Sequence, residues 1–94
     1  MIIVSGRLYI VRGQREIFLS ISSSSVIEAR RASGCRDFVV AADPIEPDRV
    51  NVYEEWDSAD QLEAFRGDGP GAQLAKLIER ADVRRHVIAS SGAA

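Results

Sequence analysis

Glu54 and Trp56 lie two positions apart in an alternating segment, and their types and spacing could support chemistry. On a strand this spacing places both side chains on one face of the sheet. Burial would raise the pKa of the Glu54 carboxyl and let it accept a proton from a bound molecule. His86 is the only histidine in the chain, and an ordinary histidine titrates near neutral pH. Glu54 and His86 are therefore candidate catalytic residues.

Each of these side chains also has a purely structural interpretation. Trp56 fits a core anchor, and a lone histidine on a strand, such as His86, is usually structural. Glu54 lies near the end of a predicted strand, where it fits an ion pair with one of three arginines: Arg7, Arg84 or Arg85. Both interpretations stay open at the level of sequence.

Ser25 falls near the middle of the apolar sector of a predicted helix, where packing alone would favour alanine or leucine. It either positions an oxygen atom or a water molecule, or bonds back to the carbonyl of Ile21 as helical serines often do. Cys35 has no basic neighbour in sequence, so we expect an inert thiol rather than a nucleophile.

Composition narrows the class of protein. The 94 residues fit one domain, residues 1–94, with a frayed tail predicted at residues 90–94. The net charge is −2 with both signs interspersed, so no nucleic-acid partner is expected. No apolar run approaches the ~20 residues of a membrane helix, and the N-terminus lacks a basic leader. One cysteine and one histidine argue against a disulfide and a zinc site. We expect a cytoplasmic protein without metal or cofactor.

Hydrophobic periodicity predicts the elements that must position these residues. Alternation with β-branched types predicts strands at residues 1–11, 35–42, 49–56 and 82–90. A helix is predicted over residues 14–32, with an apolar sector comprising Ile17, Phe18, Ile21, Ala29 and Ala32.

Ser58 and Gln61 form a capping box that starts a second helix. Its apolar stripe comprises Ala59, Leu62 and Phe65. Residues 67–71 contain three glycines and a proline, and we interpret them as a lid or hinge. A further short helix is predicted with the stripe Leu74, Leu77, Ile78 and Ala81.

The order βαββαβ predicts an α+β, ferredoxin-like fold with a four-stranded antiparallel sheet. Helices cover one face of this sheet. The opposite face is predicted to carry apolar side chains, namely Ile3, Tyr9, Val11, Tyr53 and, less directly, Phe38. Because an apolar face of this size is rarely left in water, we expect a homodimer through this face.

The chain resembles the antibiotic-biosynthesis-monooxygenase family of dimeric α+β barrels. The resemblance rests on Gly34-Cys35 before the second strand, on Glu54-Glu55-Trp56 at the end of the third, and on Asp57-Ser58 leading into a helix that contains Leu62. The resemblance implies Trp56 as a catalytic residue. The family includes cofactor-independent oxygenases, heme-degrading enzymes and many members without assigned activity.

Enzymes of that family often carry a histidine nine or ten residues after the tryptophan, where this chain has Phe65 and Arg66. A second histidine often follows in a Thr-Pro-His segment, where this chain reads Gly69-Pro70-Gly71. The heme-degrading branch uses an asparagine on the first strand, where this chain has Gly6. The departures argue against heme degradation.

The orientation of Trp56 in the family implies a pocket between the helices and the inner face of the sheet. Gly6 is expected to leave space beside the indole. The expected substrate-binding residues are Val4, Gly6, Leu8, Phe18, Ile21, Ser25, Val52, Leu62 and Phe65. Such an apolar slot suits a flat aromatic ligand.

Three functions remain open at this stage. The first is a cofactor-independent monooxygenase that acts on a small aromatic or quinol-type substrate. The second is a non-catalytic dimer that binds a small hydrophobic ligand or stabilises a pathway complex. The third is an isomerase or lyase of the same barrel superfamily, which would turn over without oxygen.

Overall fold

Helices cover one face of a four-stranded antiparallel sheet in the computed structural model, which describes residues 1–67 and 71–94. The strand order is β2-β3-β1-β4. The elements are β1 (Ile2–Ile10), α1 (Arg15–Arg31), β2 (Cys35–Ala42), β3 (Arg49–Trp56), α2 (Ala59–Arg66), α3 (Ala72–Ala75) and β4 (Ile78–Val87). This arrangement confirms the predicted ferredoxin-like α+β fold. The lid predicted at residues 67–71 includes residues 68–70, which lie outside the described residues.

The alternation of β1 sets the two faces of the sheet. Ile2, Val4 and Ile10 are buried beneath the helices. β3 lies in register with β1, so that Ile2 pairs with Trp56 and Val4 pairs with Glu54. Paired residues of an antiparallel sheet point to the same side, so Glu54 and Trp56 also face the helices.

The core divides into two clusters beneath the helices. One surrounds Trp56 and contains Ile2, Val4, Ala29, Phe38 and Leu62. The other contains Ile10, Phe18 and Val50. Fully burying a side chain of this size contributes about 1.5–3 kcal/mol, so these clusters dominate the stabilisation of the helix layer.

Capping starts α2 as the sequence predicts. The Ser58 hydroxyl accepts a hydrogen bond from the backbone N–H of Gln61 at 3.3 Å. Satisfying an otherwise unpaired N–H at a helix start is worth about 1 kcal/mol. The cap fixes where α2 leaves β3, and therefore where Leu62 and Phe65 meet the sheet.

The predicted helical stripe after residue 71 is partly wrong. α3 ends at Ala75, and β4 already begins at Ile78. Ile78 pairs with Ile10 and Ala81 pairs with Leu8, so both belong to the sheet. Backbone pairing with β1 satisfies the polar groups of this segment, and this tertiary pairing overrides the helical spacing of the apolar residues.

The predicted apolar sector of α1 is right for Phe18 and Ala29, which are buried, and wrong for Ile17. Ile17, placed in the buried sector, is 50% exposed, and the buried residues are Phe18, Ser22 and Ala29. The helix turns a serine to the sheet and an isoleucine to solvent. Apolar residues alone therefore do not define which face of α1 packs against the sheet.

The uncovered face of the sheet is more polar than predicted. Ile3, Tyr9 and Tyr53 lie there, but Arg7 forms an ion pair with Asp82 at 3.0 Å on the same face. The Tyr53 hydroxyl donates to Glu55 at 2.6 Å. The assignment of Phe38 to this face is wrong.

Phe38 is buried under the helices, and Val39 takes the outward position opposite Tyr53. Val11 follows the last residue of β1 and donates its backbone N–H to the Leu77 carbonyl at 2.9 Å. Among the described residues, no helix is long and apolar enough to span a membrane.

Candidate functional site

A cavity of about 560 Å³ lies between the helices and the inner face of the sheet. Its apolar lining comprises Leu8, Phe18, Val26, Phe38, Val40, Val52, Phe65, Leu74, Ile78 and Val83. Its polar lining comprises Ser22, Ser25, Glu28, Glu54 and Arg66, and Gly71 completes the wall. The volume and the mainly apolar wall with few polar groups are typical of sites for small organic molecules.

Glu54 is the buried carboxyl group of this cavity. β3 presents it between Val4 on β1 and Phe38 on β2, and only 6% of the residue is exposed. Burial raises its pKa above the usual 4.5, and the Trp56 hydrogen bond and the charges of Arg66 and Arg85 oppose that rise. Glu54 is thus placed to exchange a proton with a molecule in the cavity.

Trp56 forms a hydrogen bond with this carboxyl group. The indole is fully buried, and its Nε1–H donates to Oε1 of Glu54 at 3.0 Å. Its ring packs against Phe65 with centroids 5.4 Å apart. Trp56 is not among the residues that line the cavity. Its contact with the site is the hydrogen bond that positions Glu54.

Two serines of α1 line the cavity. Ser25, a predicted site residue, is one of them, and the other is Ser22, which sequence reasoning missed. The hydroxyl of Ser22 donates to the carbonyl of Leu19 at 3.2 Å, and that of Ser23 donates to Ser20 at 2.8 Å. Among the described residues the back-bonding serines of α1 are therefore Ser22 and Ser23, not Ser25.

The structure brings six of the predicted site residues to the cavity wall: Leu8, Phe18, Ser25, Val52, Glu54 and Phe65. Val4 and Leu62 belong to the core cluster around Trp56, outside the wall. Ile21 is also outside it. His86 is exposed and pairs with Ile3, which places it on the uncovered face of the sheet, away from the cavity.

The role predicted for Gly6 is wrong in its geometry. Gly6 pairs with Val52 and Val83, whereas Trp56 lies four positions along, opposite Ile2. Gly6 has a φ of 151°, and a Cβ there would collide with the carbonyl oxygen of Asp82. This glycine therefore lets the β4 backbone approach β1 and does not make room for the indole.

Glu54 takes none of the three arginine partners considered from sequence. Arg7 and Arg84 both pair with Asp82, at 3.0 and 3.5 Å. Arg85 lies on the inner side of β4 and pairs with Glu63 of α2. Among the described residues, the Glu54 carboxyl therefore lines the cavity with a hydrogen bond from Trp56 and without an ion pair.

Cys35 does not add a nucleophile to the site. Burial and the charges of Glu54 and Asp37 raise the pKa of the Cys35 thiol, which makes it a poor nucleophile at neutral pH. In the part of the chain that the structure describes, no three histidine, cysteine or acidic side chains cluster closely enough to hold a metal ion.

Arg66 and Glu28 are the charged residues that the sequence did not single out as site residues. Both line the cavity, Arg66 from the last turn of α2 and Glu28 from α1. The sequence carries no specific signal for either residue, because a charged residue on a helix is usually solvated and consecutive helix residues do not face the same side. Phe38, Val40 and Val83 were missed because the register of β2 and β4 was not defined by the sequence.

The chain matches one known protein family. The sequence model described as antibiotic biosynthesis monooxygenase matches residues 1–76. Among proteins with curated function, none matches the chain.

The solved structures similar to the chain include a Chloroflexus aurantiacus protein provisionally named an antibiotic biosynthesis monooxygenase. It is 26% identical with a TM-score of 0.77, and the match covers 98% of this chain and 96% of that one. Rv0793 from Mycobacterium tuberculosis is 18% identical with a TM-score of 0.82, and the match covers 98% of each chain. A Caulobacter crescentus protein with the same provisional name is 16% identical with a TM-score of 0.83, over 95% of this chain and 90% of that one. The last two show the likeness of fold alone.

Proposed function

Because the chain belongs to the antibiotic biosynthesis monooxygenase family, we propose that it oxidises a small aromatic or quinol-type substrate with dioxygen and without a cofactor. The single observation that carries this proposal is the buried carboxyl of Glu54 on the wall of a 560 Å³, mainly apolar cavity. A substrate of this class supplies the electrons itself, so the protein needs to provide only binding, orientation and a proton acceptor.

Anthrone illustrates the reaction. Glu54 removes a proton from the ring methylene, and the resulting carbanion transfers electrons to dioxygen. A carbon–oxygen bond forms to give a hydroperoxide. Loss of the second methylene hydrogen as a proton, with cleavage of the oxygen–oxygen bond, gives the ketone and one water. All the electrons come from the substrate, and one oxygen atom of dioxygen remains in the product.

The environment of Glu54 suits the first step. Because burial raises its pKa, the carboxylate is a stronger base than a glutamate in water. The Trp56 N–H holds one carboxylate oxygen at 3.0 Å and so fixes the orientation of the group. Phe38 and Phe65 line the same cavity and offer ring surfaces for an aromatic substrate.

Oxygen uptake tests the proposal. Purified protein is mixed with anthrone or 1,4-dihydroxynaphthalene in an oxygen electrode, and anthrone product formed under ¹⁸O₂ is analysed by mass spectrometry. We expect wild-type turnover with one labelled oxygen per anthrone product. Glu54→Gln should lower kcat/KM by about 10²–10⁴-fold, the usual contribution of a general base. No uptake across the panel would contradict the proposal.

A second candidate function is non-catalytic binding of a small hydrophobic ligand, or an accessory role in a pathway complex. The observation that favours it is the packing of the Phe65 ring in the core. Phe65 occupies the position where many family enzymes carry a histidine. Its ring packs against Trp56 and Phe38, with centroids 5.4 and 5.8 Å away, and supplies no acid–base group. Calorimetric binding of the same compounds without oxygen consumption would support this function over the first.

We also propose that two copies of the chain pair through the uncovered face of the sheet. Ile3, Tyr9, Val39 and Tyr53 lie on this face and are partly buried already within one chain. Two of the cations on this face already have a partner within the chain. Arg7 forms an ion pair with Asp82, and Arg80 lies 4.1 Å from the centroid of the Tyr9 ring. Burying a face whose charges are paired within the chain costs less free energy than burying one with isolated charges.

A further inference from the structure

Charged residues reach the cavity from three elements, and one of the three has the opposite sign to the other two. Arg66 reaches the cavity from the last turn of α2, and Glu28 reaches it from α1. Glu54 reaches it from β3 of the sheet. The remaining lining is apolar apart from the hydroxyls of Ser22 and Ser25. The electrostatic potential in the cavity is therefore not uniform, and among the described lining residues the positive one is Arg66.

Arg66 adjoins the surface on which an aromatic ring would pack. It directly follows Phe65, whose ring lines the cavity and packs against Phe38 and Trp56. Both side chains line the cavity, so a planar ligand packed on the Phe65 ring would share that cavity with the guanidinium of Arg66. Guanidinium groups bind carboxylates and similar anions through two parallel hydrogen bonds.

Arg85 makes a useful contrast with Arg66. Both cations act on the same carboxyl group, because the charge of each lowers the pKa of Glu54. Arg85, however, is engaged with Glu63 and does not line the cavity. Of these two arginines, Arg66 lines the cavity and Arg85 does not, although both influence the electrostatic potential around Glu54.

We infer that the cavity selects small aromatic molecules that carry an anionic group, and that Arg66 binds this group. This inference rests on the proposed function in that it names the substrate class of the same cavity. The anion points towards α2 and away from Glu28 on α1, because like charges repel at close range. The ring then lies against Phe65, with its reacting edge towards Glu54.

The inference is tested by calorimetric titration with two matched probes, 2-naphthoate and the neutral 2-naphthamide. We expect wild-type protein to bind the naphthoate at least tenfold more tightly. Arg66→Gln should remove most of this preference, since a hydrogen bond to a charged group contributes about tenfold or more. Arg85→Gln removes an equal charge outside the cavity and should keep the preference. Glu28→Gln should not weaken naphthoate binding.

Several results would overturn the inference. The wild type could bind both probes equally, or the preference could persist in Arg66→Gln. An equal loss in Arg85→Gln would show that net charge, and not contact with Arg66, selects the anion. Circular dichroism of each variant confirms that the fold is intact before binding is compared.

A turnover experiment separates this inference from the proposed function. Oxygen uptake is measured with anthrone and with an anthrone that carries a ring carboxylate. Equal kcat/KM for the two substrates in wild type and Arg66→Gln would refute the selection of anions and leave the oxygenase intact. Arg66-dependent binding of naphthoate, with no oxygen uptake from any substrate, would support the anion site and refute the oxygenase.

Discussion

The indole N–H of Trp56 donates a hydrogen bond to Glu54 Oε1 at 3.0 Å, between two residues that are both buried and lie on one face of β3. The two-residue period of a strand makes this contact possible, because it places the Glu54 and Trp56 side chains next to each other on one face of the sheet. The bond stabilises the ionised carboxylate, while burial favours the neutral form. The basicity of Glu54 is thus set by two opposing effects, and each can be changed separately.

Replacing Trp56 with phenylalanine should raise the pKa of Glu54 further. Trp56→Phe keeps an aromatic ring but removes the N–H, so the carboxylate loses a donor in a buried setting. We expect a loss of about 1–3 kcal/mol in the free energy of unfolding, because the buried acceptor is left unpaired. Titration of the ¹³C-labelled carboxyl group by NMR measures the pKa directly, with Glu54→Gln to assign the signal.

Phe65→Leu is the control for that experiment, since it disturbs the packing of the indole and leaves the N–H in place. The pKa of Glu54 should move much less in this variant. An unchanged or lowered pKa in Trp56→Phe would show that the hydrogen bond does not tune the carboxyl group.

Glu54→Gln should change the stability of the protein in a pH-dependent way. The folded state holds the Glu54 proton more tightly than the unfolded state, whose pKa is about 4.5. The stabilisation from Glu54 is therefore complete below this pH and is lost as the pH rises through the folded pKa. Relative to wild type, Glu54→Gln should gain stability from acid towards neutral pH, by about 1.4 kcal/mol for each unit of the pKa difference.

Urea unfolding at a series of pH values measures this trend. Glu63→Gln is a control of opposite sign, because Arg85 lowers the pKa of the Glu63 carboxyl below 4.5. The stabilisation from Glu63 is present above that pH and is lost on acidification, so Glu63→Gln should lose stability near neutral pH. A Glu54→Gln difference that is flat across the series would mean that burial does not penalise the charged form.

Gly6→Ala should be strongly destabilising for a reason unrelated to ligand binding. The added Cβ meets the Asp82 carbonyl oxygen, and the φ of 151° disfavours any side chain. Gly13→Ala separates the two causes, because Gly13 has a φ of 79° but nothing within 4 Å of a Cβ. We expect Gly13→Ala to cost about 1 kcal/mol and Gly6→Ala clearly more, as measured by chemical unfolding. Equal costs would mean that β4 moves aside without penalty.

Hydrophobic patterning was sufficient to predict the fold because each strand carries its own alternation. Ile2, Val4 and Ile10 recur at the period of two, and burial on one face requires that phase. The capping box at Ser58 marked the start of α2 in the same local way. These features depend on neighbours in sequence, so they can be read without knowing the tertiary structure.

Features that depend on contacts between segments distant in sequence were not predicted correctly. β4 begins at Ile78 because β1 is there to pair with it, whereas the spacing of Leu74, Leu77 and Ile78 favours a helix. The side of the sheet on which Phe38 lies depends on the register between β2 and β3, which shifts between Cys35 and Asp37. Arg66 and Glu28 meet at one cavity only because α1 and α2 cover the same face of the sheet.

Ile3→Arg should convert the proposed dimer into a monomer. Ile3 lies on a central strand of the uncovered face, opposite Glu55 and His86, where a long cation would have to be buried between two copies. Ile45→Arg is the matched control, since Ile45 is 85% exposed in the β2–β3 loop. Sedimentation at micromolar concentration should give twice the 10.3 kDa chain mass for wild type and Ile45→Arg, and the chain mass for Ile3→Arg. A well-folded wild-type monomer at that concentration would refute the pairing, because the partly apolar face would then be stable in water.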